Sequence, residues 1–174
     1  MLLHICCGPC ATATIDHLRD EGRDLRGFFF NPNIHPLLEF RRRLTGARDL
    51  AGDRGLVLLE DLEYDPAEWF AVVGSRGDER CAACIGLRLR RTAARAAATG
   101  CETFATSLAI SPWQDHDAIQ EGGRSAAAEH GVAFVYEDLR PLYRASRSFA
   151  KEAGLYRQQY CGCLLSEWER YRDG

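Results

Sequence analysis

The sequence predicts an α/β domain built on a parallel sheet, and three observations carry that prediction. Apolar runs of about five residues recur between helical stretches of ten or more, an alternation that βαβ units produce. Glycine, proline and asparagine breakers such as Gly8-Pro9, Asn31-Pro32-Asn33, Gly55 and Gly100 punctuate the runs. The chain has 174 residues, of which 46% are hydrophobic, enough for one buried core and short for two. Residues 1–174 are therefore read as a single domain, with a parallel sheet covered by helices on both faces.

Each element follows from its local pattern. Leu2 to Cys6 is a first strand, and after Gly8-Pro9 a helix is expected from about Ala11 to Asp20. Leu25 to Phe30 is a second strand, closed by the turn Asn31-Pro32-Asn33. A helix with alternating arginine and leucine runs from about Pro36 to Asp53 and stops at Gly55; Leu56 to Glu60 is a third strand. Asp65-Pro66 has the form of an N-cap followed by proline at the first helical position, opening a helix with Trp69, Phe70 and Val73. Gly74 to Arg80 is a polar loop, and Cys81 to Thr99 a helix ended by Gly100. Glu102 to Ser107 is a fourth strand, Gln114 to His130 a helix and Val132 to Tyr136 a fifth strand. Beyond it, short helical pieces surround Cys161-Gly162-Cys163. Ligands of such sheets bind beyond the carboxyl ends of the strands. The segments at 6–10 and 107–117 both follow a strand, so they are expected to share one site.

Composition narrows the class. A charged fraction of 27% excludes a disordered or fibrous chain, and no apolar run approaches the roughly 20 residues of a membrane span. The opening Met-Leu-Leu-His-Ile-Cys-Cys lacks a basic leader region and a small-residue cleavage site, which points to a reducing cytoplasm. Net charge is −3, yet 21 of the 22 basic residues are arginine, and arginine forks suit phosphate. Arg41 to Arg43 and Arg88, Arg90, Arg91 and Arg95 form local clusters, so a basic RNA-binding face is compatible with the acidic total.

Seven of the eight cysteines fall into three motifs: Cys6-Cys7-Gly8-Pro9-Cys10, Cys81-Ala82-Ala83-Cys84 and Cys161-Gly162-Cys163. In a reducing compartment such groups bind metal or do redox chemistry. Cys-x-x-Cys at a helix start brings two sulfurs to one side, where the dipole favours thiolate. Cys101 stands alone at a strand start and reads as a small core residue. Seven thiols exceed the four that one zinc takes, and an iron–sulfur cluster with a second centre accounts for the surplus better. Two rivals stay open: a zinc-stabilised RNA-binding module, and a thiol–disulfide oxidoreductase of the thioredoxin kind built on Cys7-Gly8-Pro9-Cys10.

Five separated stretches carry a closer resemblance: LLHICCGPC at 2–10, FFNPNIHP at 29–36, RCAAC with RLRRTA at 80–84 and 88–93, TSLAISPWQDH at 106–116 and LYRQQYCGC at 155–163. Together they resemble the QueH type of epoxyqueuosine reductase, with mild departures at AISPWQDH and DLRPLYRAS that touch no cysteine. The resemblance implies a nucleotide-hydrolase-like, Rossmann-like fold, a [4Fe–4S] cluster and an adjacent mononuclear metal ion, expected to be iron. The implied reaction removes the epoxide oxygen from epoxyqueuosine at the wobble position of transfer RNA. The implied ligands are Cys6, Cys7, Cys10, Cys81, Cys84, Cys161 and Cys163, with Asp115 as an oxygen ligand. His4, His116, Asp115 and Tyr160 are candidate proton donors. Asn31, Asn33 and His35 are candidates for reading the base, and Trp113 for stacking on it. The anticodon loop would be held by Arg41 to Arg43, Arg88, Arg91 and Arg157. No flavin or nicotinamide fingerprint is present, so an external electron donor is implied but not identified.

Overall fold

The computed structural model of the chain describes residues 1–173 and contains one sheet of five strands. The strands are β1 (Leu2–His4), β2 (Arg26–Phe29), β3 (Val57–Glu60), β4 (Thr103–Thr106) and β5 (Ala133–Phe134). All pair in parallel in the order β3-β2-β1-β4-β5, with Leu3 opposite Gly27 on one side and Ala105 on the other. The order reverses direction at β1, so the carboxyl ends of β1 and β4 flank the crevice where a doubly wound sheet binds its ligand. Seven helices complete the fold: α1 (Gly8–Asp20), α2 (Leu37–Asp53), α3 (Pro66–Val73), α4 (Arg80–Ala98), α5 (His116–His130), α6 (Tyr143–Glu152) and α7 (Leu164–Tyr171). No helix among the described residues is long and apolar enough to cross a membrane.

Side-chain alternation along the strands builds two cores. Leu3, Ile5 and Phe29 face α1 and α2 in one cluster, while Leu2, Phe28, Phe30 and Phe104 face α4 and α5 in the other. The parallel, Rossmann-like α/β arrangement read from the sequence is therefore the one observed.

Boundaries shift for identifiable reasons. β1 ends at His4 because the Cys6 amide leaves the ladder and donates to Ser107 Oγ at 3.1 Å. α1 starts at Gly8, three residues earlier than expected, because Pro9 in its first turn is pre-set for helix and does not break it. α5 starts at His116 because the Asp115 carboxylate caps it, accepting from Ala118 N at 2.9 Å. The Asp65-Pro66 cap of α3 is present as read, with Asp65 accepting from Ala67 N at 2.8 Å. The polar loop before α4 contains a 3₁₀ turn, Gly77–Glu79.

Candidate active site

The first cysteine motif spans the junction of β1 and α1. Cys7 precedes the helix in extended conformation, with no side-chain cap bond, which leaves its sulfur available at the positive end of α1. Gly8 is required by close packing: a Cβ there would stand 2.6 Å from the Gly46 carbonyl oxygen of α2. The sulfurs of Cys6, Cys7 and Cys10 consequently gather within 4.8 Å of one another, and all eight cysteines are free thiols.

The second and third motifs meet each other through Cys84 and Cys163, and Cys161 joins them to the first; Cys81, Cys84 and Cys163 are not on the cavity wall, and among the described cysteines only Cys6, Cys7 and Cys10 form a group with sulfurs within 4.8 Å of one another. Cys81 and Cys84 lie in the first turns of α4, and Cys163 caps α7. Cys84 and Cys163 share a buried cluster with Trp69 and Val73, and the Trp69 indole N–H donates to Cys84 Sγ at 3.2 Å. Gly162 adopts φ 137°, a conformation side chains rarely take, and its amide plane presents the carbonyl to His35 N at 2.8 Å. That turn leaves Cys161 on the same cavity wall as Cys6, Cys7 and Cys10.

Two buried arginines tie the groups together. Arg43, 3% exposed, donates to Glu39 Oε1 at 2.7 Å and to the Cys161 and Tyr160 carbonyls at 2.6 and 3.1 Å. Arg88, 2% exposed, donates only to the Cys84 carbonyl at 3.2 Å and has no carboxylate partner among the described residues. Its charge acts on Cys84, Cys161 and Cys6, so it sits between the sulfur groups.

Neighbouring donors also reach the sulfurs. Ser107 Oγ donates to Cys6 Sγ at 3.3 Å, Gln158 Nε2 to Cys7 Sγ at 2.9 Å and Gln114 Nε2 to Cys161 Sγ at 3.7 Å. Hydrogen bonding from Cys10 and Cys6, helped by Arg43, holds the Cys7 thiol well below its ordinary range against the opposing effect of burial. Its neighbours move the other way: bonds to Cys6 and Cys7 raise Cys10. A bond from Cys10 favours the Cys6 thiolate, but Cys7 and burial outweigh it and push Cys6 up to about 11. Three thiols in contact hold one negative charge among them unless a cation displaces the other protons. This is the chemistry of a metal-binding donor set, and the unpaired Arg88 charge fits an anionic metal–thiolate assembly.

The other candidates are placed unequally. Tyr160 lines the cavity, donates its hydroxyl to the His35 carbonyl at 2.9 Å, and is kept protonated by burial, which pushes its pKa up to about 12. Asp115 and His116 do not lie on the cavity wall. The Asp115 carboxylate caps α5, and His116 Nε2–H donates to the Ser111 carbonyl at 2.9 Å while Nδ1 accepts from the Tyr136 hydroxyl at 2.9 Å. His4 is fully buried between Thr106 Oγ1 and the Phe30 carbonyl; burial, then Arg88, lowers its pKa to about 4 and keeps it neutral. Asn31 and Asn33 line the cavity, each with an unpartnered amide oxygen, while His35 packs among Trp69, Phe70 and Tyr64. Gln158 and Trp69 were not singled out in the sequence. Gln158 lies three residues before Cys161 in a motif already marked, whereas Trp69 carried no signal beyond an apolar helix face.

Cys101 lies apart, partly buried against the α4–α5 core, where its sulfur receives the Thr99 hydroxyl at 3.8 Å. Cys101→Ser is expected to leave metal content and turnover at wild-type levels, measured side by side with Cys84→Ser. A loss in Cys101→Ser equal to that in Cys84→Ser, with the fold intact, would show that the grouping into three motifs is wrong.

The cavity encloses about 440 Å³, in the range of small-molecule sites. Among the described residues its wall carries Arg43, Arg88, Arg147 and Arg170 and no aspartate or glutamate, in a chain whose net charge is −3. Fold and site together define a parallel α/β protein with a thiol-rich, cationic cavity at the switch point of its sheet. The family model described as epoxyqueuosine reductase QueH matches residues 1–169. Relatives bearing that name are 42% identical in Dehalococcoides mccartyi, over 98% of this chain and 94% of the relative, and 36% identical in Thermotoga maritima, over 98% and 91%. A third, from Streptococcus pyogenes, is 31% identical over 95% of this chain and 69% of its own length. The chain belongs to the QueH family of epoxyqueuosine reductases, which are oxidoreductases.

Proposed function

We propose that this protein reduces epoxyqueuosine to queuosine at the wobble position of transfer RNA in the cytoplasm, with the seven motif cysteines holding a [4Fe–4S] cluster and an adjacent mononuclear iron. The observation that carries the reading is the meeting of three cysteine motifs beside a cationic, acid-free cavity in a member of this family. Seven sulfurs leave three beyond the four that a cluster takes. Bound iron would supply single electrons and a Lewis acid for the epoxide oxygen. The overall change is two electrons and two protons in, both bonds to the epoxide oxygen broken, and an alkene and water out; the electrons come from an external donor.

The chain's own residues set the conditions for that change. Arg43 fixes the 160–162 turn, so Cys161 and Tyr160 are held on one wall. Tyr160 is a proton-bearing group on that wall and the proton donor of this reading. Asp115 and His116 act at one remove: their cap and ring bonds hold the 111–115 loop that brings Trp113 and Gln114 to the cavity.

Anaerobic purification with iron and sulfide analysis, followed by incubation with a chemical reductant and RNA containing epoxyqueuosine, tests the proposal. The expected result is a coloured protein with iron and sulfide in stoichiometric amounts that converts the nucleoside to the form lacking one oxygen. A colourless zinc protein that binds the RNA without converting it would replace the reading with the RNA-binding module. A metal-free protein active only on disulfides would replace it with the oxidoreductase of the thioredoxin kind.

A further inference from the structure

We propose that Trp113, Arg147 and Arg170 form a platform at the cavity mouth for the single-stranded nucleotide adjoining the one that enters. The indole stacks on its base, and the two guanidiniums hold its phosphates. The proposal rests on the reading that the substrate is an RNA loop, and it names the surface that receives that loop.

Exposure of one tryptophan is ordinary. The position of this one is not: Trp113 is 83% exposed and at the same time lines the cavity. Its loop is fixed. Trp113 N donates to Ser111 Oγ at 3.3 Å and Gln114 N to the Ser111 carbonyl at 3.3 Å, while His116 donates to that same carbonyl. The indole is thereby presented to solvent on a rigid turn, which lowers the ordering cost of stacking a base on it.

Arg147 comes from α6 and Arg170 from α7, so three separate elements meet at this rim. Neither arginine has a carboxylate or hydrogen-bond partner among the described residues. The arginines expected from sequence to meet RNA are differently engaged: Arg43 and Arg88 are buried, and Arg91 pairs with Asp61 at 2.8 Å. Arg41, Arg42 and Arg157 are not on the cavity wall, and Arg42 lies over the Tyr156 ring. Two unpartnered guanidiniums and an exposed aromatic face on one cavity wall, with no aspartate or glutamate among its described residues, form the combination that binds single-stranded nucleic acid: charge for the backbone and a π-surface for the base. A protein partner has less to recognise on the wall itself, where Trp113 is the one exposed large apolar side chain among the described lining residues; the exposed Leu164, Leu165, Trp168 and Tyr171 of α7 are not wall residues.

The test measures binding of an anticodon-loop hairpin RNA, with 2-aminopurine beside the wobble position, to the metal-loaded protein over a range of salt. Trp113→Ala is expected to weaken binding by about 5- to 150-fold, the loss of one stacked base, with the salt slope unchanged. Trp113→Phe restores most of the affinity, and the 2-aminopurine emission that the wild type quenches rises in the alanine variant. Arg147→Ala and Arg170→Ala are each expected to flatten the plot of log affinity against log salt by about 0.7. Iron content stays at the wild-type level in all four variants and in the double variant Arg147→Ala/Arg170→Ala. Wild-type affinity and slope in Trp113→Ala and in the double arginine variant, from a wild type that binds the RNA, would overturn the platform alone. The same holds if these variants lose only electron delivery from a protein donor. A wild type that shows no salt-dependent RNA binding would overturn the platform together with the function on which it rests.

Discussion

Cys7→Ser is expected to lose metal and turnover together while the fold survives. Cys7 stands where β1 gives way to α1, at the positive end of the helix, and hydrogen bonds from Cys10, Cys6 and Gln158 converge on its sulfur. It is the thiolate that the site holds most firmly even without a cation, so it is the donor whose loss is felt most. Groups that merely orient a metal ligand are worth about 10- to 100-fold in affinity or activity, and removing a sulfur should exceed that range. The backbone has little reason to change, because Cys7 makes no side-chain cap bond and serine is smaller. The measurements are anaerobic iron content, turnover on epoxyqueuosine RNA, and a thermal melt monitored by circular dichroism. Full iron content and turnover in Cys7→Ser would remove the first motif from the site. A melt lowered as far as that of a core truncation would instead assign Cys7 a packing role.

Periodicity in the sequence was sufficient for the sheet, because the strands alternate apolar side chains toward two helix layers and α1 to α6 each end within two residues of a glycine. Two of the boundaries that moved did so where a side chain competes with the backbone: Ser107 takes the Cys6 amide out of the ladder, and Asp115 starts α5 two residues late. The shared site of the first cysteine motif and the 107–117 segment was legible, because both follow strands. The placement of Cys161 beside Cys7 depends on Gly162 and on Arg43 gripping two carbonyls more than a hundred residues away, which no local pattern reports. Arginine was the least legible residue type. Arg43 and Arg88 sit in runs that look like solvated helix faces, yet one is paired with Glu39 in the interior and the other faces sulfur. Asp115 had the right chemistry for an oxygen ligand and the right loop, but an aspartate just before a helix has a competing use as its cap, and the cap is what the geometry shows.

Arg88→Met is expected to stabilise the metal-free protein and to weaken its hold on metal, two effects of opposite sign from one substitution. Arg88 is 2% exposed, with a single hydrogen bond to the Cys84 carbonyl and no carboxylate partner. A buried ion costs several kcal/mol unless it is compensated. The groups whose charge acts on it are Cys84, Cys161 and Cys6. Burial pushes the Cys84 thiol up, and Cys6 is pushed up to about 11. Without metal, therefore, two of the three partners are protonated near neutral pH and offset little of the guanidinium's cost. On the proposed function, a metal held by these cysteines would take the place of those protons and leave thiolates, whose charge Arg88 would neutralise. Methionine fills a similar length without a charge, and replacing buried ionic groups by apolar ones of like volume commonly stabilises by about 1–4 kcal/mol. For a chain of this size each kcal/mol raises the melting temperature by about 2–4 °C. Metal retention should fall at least tenfold, the equivalent of about 1.4 kcal/mol of lost attraction. Anaerobic melts of the wild type and Arg88→Met, with and without a chelator, read both effects, and iron content after dialysis gives the second independently. If the metal-free variant melts below the metal-free wild type while the loaded variant keeps its iron, Arg88 is a packing residue and its charge does not serve the sulfur site.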